Sequence, residues 1–187
     1  MNPFRSPHTV PTPPLNDRKE HRLPNGQLHR EDGPAVVFKD GSCEYWQNGR
    51  LHRVDGPALE YASGHIRHYK EGKLHRDGGP ALIDPDGSQA WYQEGLMHRE
   101  DGPAASSPSG EEQWRIHEML HREDGPAYTG EDGSIFYYRK GQLHREDGPA
   151  VVRPHGGEEY WVKGRQIPTP RHCPIPAFQH AYAPFGR

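Results

Sequence analysis

Histidine, arginine and aspartate recur together along this chain in the segment Leu-His-Arg-x-Asp-Gly-Pro-Ala or a close variant, starting at Leu28, Leu51, Leu74, Met97, Leu120 and Leu143. These residue types can ligate metal, grip phosphate or move protons. The histidines are His29, His52, His75, His98, His121 and His144. Two imidazoles on one zinc must lie within about 4 Å of each other, since each Zn–N bond is about 2 Å. If each unit adds two strands at about 4.8 Å spacing, equivalent histidines stand roughly 10 Å apart. The row therefore reads as a ladder of packing or hydrogen-bonding rings, and no metal or cofactor is expected.

Arg30, Arg53, Arg76, Arg99, Arg122 and Arg145 follow those histidines, and Asp32, Asp55, Asp101, Asp124 and Asp147 stand two residues further on. A periodic Arg and Asp set makes charge-assisted hydrogen bonds that join units and hold turns. The rival is an Arg stripe for phosphate or an acidic partner, and Glu31, Glu100, Glu123 and Glu146 beside it weaken that rival. His-Arg-Glu-Asp matches a kinase catalytic loop only in its letters, without a Gly-rich loop or Asp-Phe-Gly. A catalytic group should be singular, and no Ser-His-Asp, Cys-His or paired-carboxylate set stands apart from its copies. The chain reads as no enzyme.

These groups must be carried by a repeat. From Leu28 to Leu51, and at each later step, the period is 23 residues without a slip. Units that tolerate no insertion stack on one another into a quasi-one-dimensional protein. Only 31% of the 187 residues are apolar, while 20 are Pro and 22 Gly, which argues against a thick core. Twenty-three basic residues against 26 acidic ones give a net charge of -3, so no electrostatic footprint for duplex nucleic acid or an anionic membrane appears. Cys43 and Cys173 lack metal or disulfide-framework spacing. With no apolar run of about 20 residues and no leader-like N-terminus, a soluble, cytoplasmic protein is expected.

In each unit Gly-Pro-Ala leads into a short run such as Val36-Val37-Phe38, then a Gly at 41, 64, 87, 110, 133 or 156, usually after Asp or Ser. That is a hairpin signal, because Gly supplies the positive φ of tight turns. The returning run carries an aromatic pair or half-pair: Tyr45-Trp46, His68-Tyr69, Trp91-Tyr92, Trp114-Arg115, Tyr137-Tyr138 and Tyr160-Trp161. Further turns follow at Asn48-Gly49, Glu71-Gly72, Glu94-Gly95 and Lys140-Gly141. The expected fold is all-β: an elongated, single-layer, twisted antiparallel sheet of stacked β-hairpins, about 60 Å long, with rings on both faces. Residues 1–20 form a Pro-rich arm, 21–167 hold six or more repeats, and 168–187 are a Pro- and aromatic-rich tail or cap.

The segment from Tyr45-Trp46 through Gly49, Leu51-His52-Arg53 and Asp55-Gly56-Pro57-Ala58 to Ser63-Gly64 resembles a MORN repeat. MORN units are also 23-residue hairpins with an aromatic pair, a Gly turn and a His-Gly-x-Gly stretch. The resemblance covers about residues 21–165, and this variant, with Arg after His and a closing Gly-Pro-Ala, is similar to MORN-like proteins of bacteria, phages and large DNA viruses. Some of those look like antitoxins. The resemblance implies a β-solenoid platform for protein partners.

The leading expectation is a non-enzymatic protein-binding scaffold, such as an antitoxin, immunity protein or phage-encoded inhibitor. Trp46, Tyr69, Trp91, Tyr92, Trp114, Arg115, Tyr138 and Trp161 would be its exposed partner-binding residues, being of the types that anchor interfaces. A nucleotide or anionic small-molecule sponge and a self-assembling structural protein, the latter a homo-oligomer, are the alternatives. Pattern breaks at Gly78, Asp84-Pro85, Ala105–Ser109 and Glu118 predict a bend, a bulge or a contact surface between Asp84 and Glu118.

Overall fold

The computed structural model describes residues 18–169. Fourteen short strands form one antiparallel sheet whose spatial order follows chain order, from Arg18–Glu20 at one edge to Arg165–Ile167 at the other. Nearest-neighbour stacking of this kind is what an unbroken period demands. The fold is the all-β elongated sheet of repeated hairpins expected. No helix of the described residues is long and apolar enough to cross a membrane.

The second unit shows how the sequence builds one step. Leu59–Glu60 leaves Ala58, turns at Ser63-Gly64 and returns as Ile66–Arg67, with Leu59 opposite Arg67. Gly64 closes the turn by donating to the Tyr61 carbonyl at 2.7 Å, with φ at 87°. An L side chain seldom adopts that φ, so Gly is needed here. At His68 the pairing switches. Its N–H still reaches the Ala81 carbonyl at 2.7 Å, while its own carbonyl accepts from His75 N–H at 3.1 Å. Tyr69–Lys70 and Lys73–Leu74 then pair as a separate two-stranded ribbon.

Each unit thus makes two hairpins, one in the long sheet and one standing off it, where the sequence pattern suggested two strands alone. Five such ribbons occur among the described residues. Their turns hold two successive left-handed residues, as at Glu71 and Gly72 with φ 51° and 80°. That is the signature of the hairpin turn whose twist matches its flanking strands.

The core is a row, not a ball. Ala35, Ala58, Ala81, Ala104, Ala127 and Ala150, the last residues of Gly-Pro-Ala, are all fully buried. Val36, Phe38, Leu59 and Tyr61 form one cluster, against which Leu28, Trp46, Leu51 and Tyr69 pack. Leu82, Ala90, Met97, Ala104 and Ala105 form another, covered by Tyr92. Full burial of a side chain such as Val36 stabilises by about 1.5–3 kcal/mol, so these rows carry the cohesion that a thick core would otherwise supply.

One expectation narrows and another needs correction. The stretch from Asp84 to Glu118 contains no bulge: Ala105–Ser106 pairs in register with both neighbours, Ala105 opposite Ala90 and Gln113. Pro85 and Pro108 enter the same turns that Ala62 and Glu131 enter elsewhere, where a fixed φ suits the first central residue of a tight turn. The N-terminal boundary also moves. Arg18, Lys19 and Glu20, assigned to the arm, form a strand paired with Phe38, Val37 and Val36. The rest of that arm, and the tail from residue 170 on, lie outside the described residues.

Candidate functional site: the His-Arg loops and the clefts between them

Every repeated histidine does the same structural work. His29 Nδ1 accepts from the Asn48 N–H at 3.1 Å, His52 from Glu71 at 3.1 Å and His75 from Glu94 at 3.2 Å. His98, His121 and His144 accept likewise from His117, Lys140 and Lys163. Each donor is the first left-handed residue of the next unit's ribbon turn. The following residue of that turn is tied to the preceding unit as well, as Gly72 N–H is to the Leu51 carbonyl at 2.8 Å. A histidine therefore holds the next ribbon in place, which leaves its Nδ1 unavailable to metal.

The arginines are clamped from two sides. The Arg99 guanidinium carbon lies 4.2 Å from the centre of the Trp91 ring, and Arg53, Arg122 and Arg145 sit likewise over Tyr45, Trp114 and Tyr137. On its other side is the Gly of Gly-Pro-Ala. A Cβ on Gly102 would come within 2.6 Å of the Arg99 guanidinium carbon. The loop then closes through Arg99 Nε donating to Asp101 at 2.8 Å, with equivalents at Arg30–Asp32, Arg122–Asp124 and Arg145–Asp147. These hydrogen bonds hold the four Asp carboxyls below their ordinary range. They lie within units, not between them as the sequence reading had it.

With Arg folded beneath, the carboxylates face solvent. Glu31, Asp32, Glu100 and Asp101 have side chains 83–85% exposed. Successive loops bound clefts of about 380, 290, 370 and 510 Å³. A partner would meet alternating acidic rims and mixed-charge hollows along this face.

The eight residues expected to bind a partner divide between two surroundings. Trp91 lines one of the loop-face clefts, and Trp114 lies beneath Arg122 in the same ladder. Trp46, Tyr69 and Tyr92 pack on the apolar clusters instead. Arg115 and Tyr138 line a separate pocket of about 340 Å³ with Phe136 and Tyr128. Trp161 donates to Glu159 at 2.9 Å, as Trp46 does to Glu44. All eight are half-buried rather than exposed, and the buried Trp114 indole N–H has no hydrogen-bond partner among the described residues. What sequence reasoning missed was a division of roles: in four pairs the first member, Tyr45, Trp91, Trp114 or Tyr137, clamps Arg, and in three the second, Trp46, Tyr69 or Tyr92, packs on the core. Strand alternation carried that signal.

No protein-family model and no curated protein matches this chain.

Proposed function

We propose that this is a MORN-like, non-enzymatic scaffold that binds a protein partner along its loop face, and that the partner presents a basic, extended surface. One observation carries the reading: carboxylates more than four-fifths exposed recur on successive loops, while the arginines beside them are neutralised from within. Opposite charge along such a row would steer encounter and set register, with affinity distributed over several units. Capture of a toxin or of a host enzyme, as the resemblance implies, would be one use of it.

Affinity purification of the full chain from its native host, followed by reversal of Glu31, Glu100, Glu123 and Glu146 to Lys, tests the reading. A stoichiometric protein that is retained by the natural chain, lost from the reversed one and released by salt supports it. Equal retention by both sinks it. The sponge alternative is less favoured, since four of the six loop arginines already bond to their own aspartate.

A further inference from the structure

The cleft between the second and third loops carries more basic side chains than the first. Where the first cleft has Glu31, Tyr45 and Gln47, this one has Val54, His68 and Lys70. Gly78 stands where the other units have an aspartate, which in four of them pairs with the loop Arg. Arg76 in consequence bonds only to the Pro80 carbonyl, at 3.2 Å, and forms no ion pair among the described residues. At equivalent positions Val54 replaces Glu31 and Lys70 replaces Gln47, whereas Asp77 stands where the first cleft has Val54; Gly78 lines the next cleft, and its effect reaches this hollow of about 290 Å³ through Arg76, which lines both.

Its floor also holds unused hydrogen-bonding capacity. His68 is only 9% exposed, and its Nδ1 has no hydrogen-bond partner; neither does His75 Nε2. The backbone N–H of Glu94 occupies His75 Nδ1, as in every other unit, so the proton of the neutral ring sits on Nε2. The Glu94 carboxylate is also 3.2 Å from that Nδ1, and Asp77 lies 3.4 Å from Nε2 without forming a hydrogen bond. Asp77 and Asp55 belong to the exposed rim. Arg53, the other guanidinium of the cleft, is already paired with Glu60 at 2.5 Å.

We propose that this cleft binds a small tetrahedral oxyanion of the phosphate class, held by Arg76, Lys70, His75 and His68. Arg76 and Lys70 supply charge, and His75 Nε2–H supplies a directed donor. His68 can donate to an oxygen or, as a neutral ring, accept from a protonated phosphate oxygen. Donors from a strand end at Lys70 and from the irregular segments at His68 and His75-Arg76 suit an ion with oxygens on all sides better than a planar carboxylate. The site is independent of the acidic rim used for a protein partner, so failure here would leave that reading standing.

The test is titration of the full chain with inorganic phosphate at constant ionic strength, followed by calorimetry and by the histidine ring resonances. One phosphate per chain is expected, with the His68 and His75 rings shifting and His68 becoming harder to deprotonate. The double variant H68Y/K70Q puts the aromatic and amide types of the neighbouring clefts in place, and so should fold. Its phosphate affinity should fall about tenfold or more, as loss of a charge-assisted bond implies. V54E, which restores a rim carboxylate, should weaken binding too. Absence of any His68 or His75 response at millimolar phosphate, unchanged affinity in the double variant, or equally tight binding of acetate would overturn the proposal.

Discussion

His98 Nδ1 accepts a hydrogen bond from the backbone N–H of His117, 3.2 Å away and 19 residues later, and the two rings lie with centroids 4.3 Å apart. The bond spans two units, and its acceptor is buried. Removing it leaves a left-handed turn without the contact that fixes its first residue. H98A should therefore destabilise the fold by about 1–3 kcal/mol, from the lost hydrogen bond and the space left by a buried ring. Urea unfolding measures this, and an unchanged midpoint would show that the ladder contributes nothing.

Gly102 is needed for space rather than for φ. A methyl there meets the Arg99 guanidinium at 2.6 Å, and Arg99 cannot retreat without leaving Trp91 and Asp101. G102A should cost about 1–3 kcal/mol, as overpacking does. It should also change Trp91 fluorescence as the cation leaves the ring. An unaltered emission spectrum would mean that the clamp does not exist in solution.

Acid should loosen the protein through His68. Burial first, and then the Arg76 charge, depress its pKa from 6.5 to about 4. The unfolded ring takes up its proton at higher pH than the folded one, so falling pH favours unfolding. Stability from this group is complete above about pH 6.5 and is lost as pH drops toward 4, by about 3 kcal/mol in all. The depressed aspartates act lower: their contribution is present above 3.8 and disappears as pH falls further. Melting temperatures between pH 7.5 and 4.5, compared with H68Y, should separate the two, because the variant loses the upper slope. Parallel slopes would contradict the assignment.

Arg67 is one of the buried charged side chains, with Glu44 and Glu111. Arg67, 3% exposed, donates to Asp84 at 2.5 Å and to the Ile83 carbonyl at 2.9 Å. Other units place Glu44, Ala90, Gln113 and Phe136 at the same position. Breaking a buried pair from one side leaves an uncompensated charge, so D84A should cost about 3–5 kcal/mol. The double variant R67A/D84A should recover part of that loss. A double variant no more stable than D84A would deny the coupling.

The period of 23 residues and the Asp-Gly or Ser-Gly turns made the sheet legible, because stacking and positive φ both leave marks at fixed positions. Arg two residues before Asp marked the charged loop. The switch at His68 and its equivalents was not legible, since backbone pairing with a second partner has no residue code. The roles of Tyr45 and Trp46 were hidden for a related reason: both are rings, and only the position of Arg53 and of Leu51 decides which clamps and which packs. Arg67 and Asp84 lie 17 residues apart, and no periodic pattern pointed to their pairing.

Glu118 is the non-glycine at the second left-handed position of a ribbon turn, with φ 68° after His117 at 47°. Such a backbone costs about 1–2 kcal/mol for an L residue. The side chain offsets it: its carboxylate accepts from Met97 N–H at 2.7 Å, and Arg115 donates to its carbonyl. Substitution can divide these effects. E118G relieves the backbone and loses the carboxylate, so its stability should stay within about 1 kcal/mol of the natural chain. E118A keeps the strain and loses the bond, so it should be the less stable of the two by about 1 kcal/mol. Thermal unfolding of both ranks them. If E118A equals or exceeds E118G, the left-handed turn is not strained, and the carboxylate alone explains why Glu stands where five other turns have Gly.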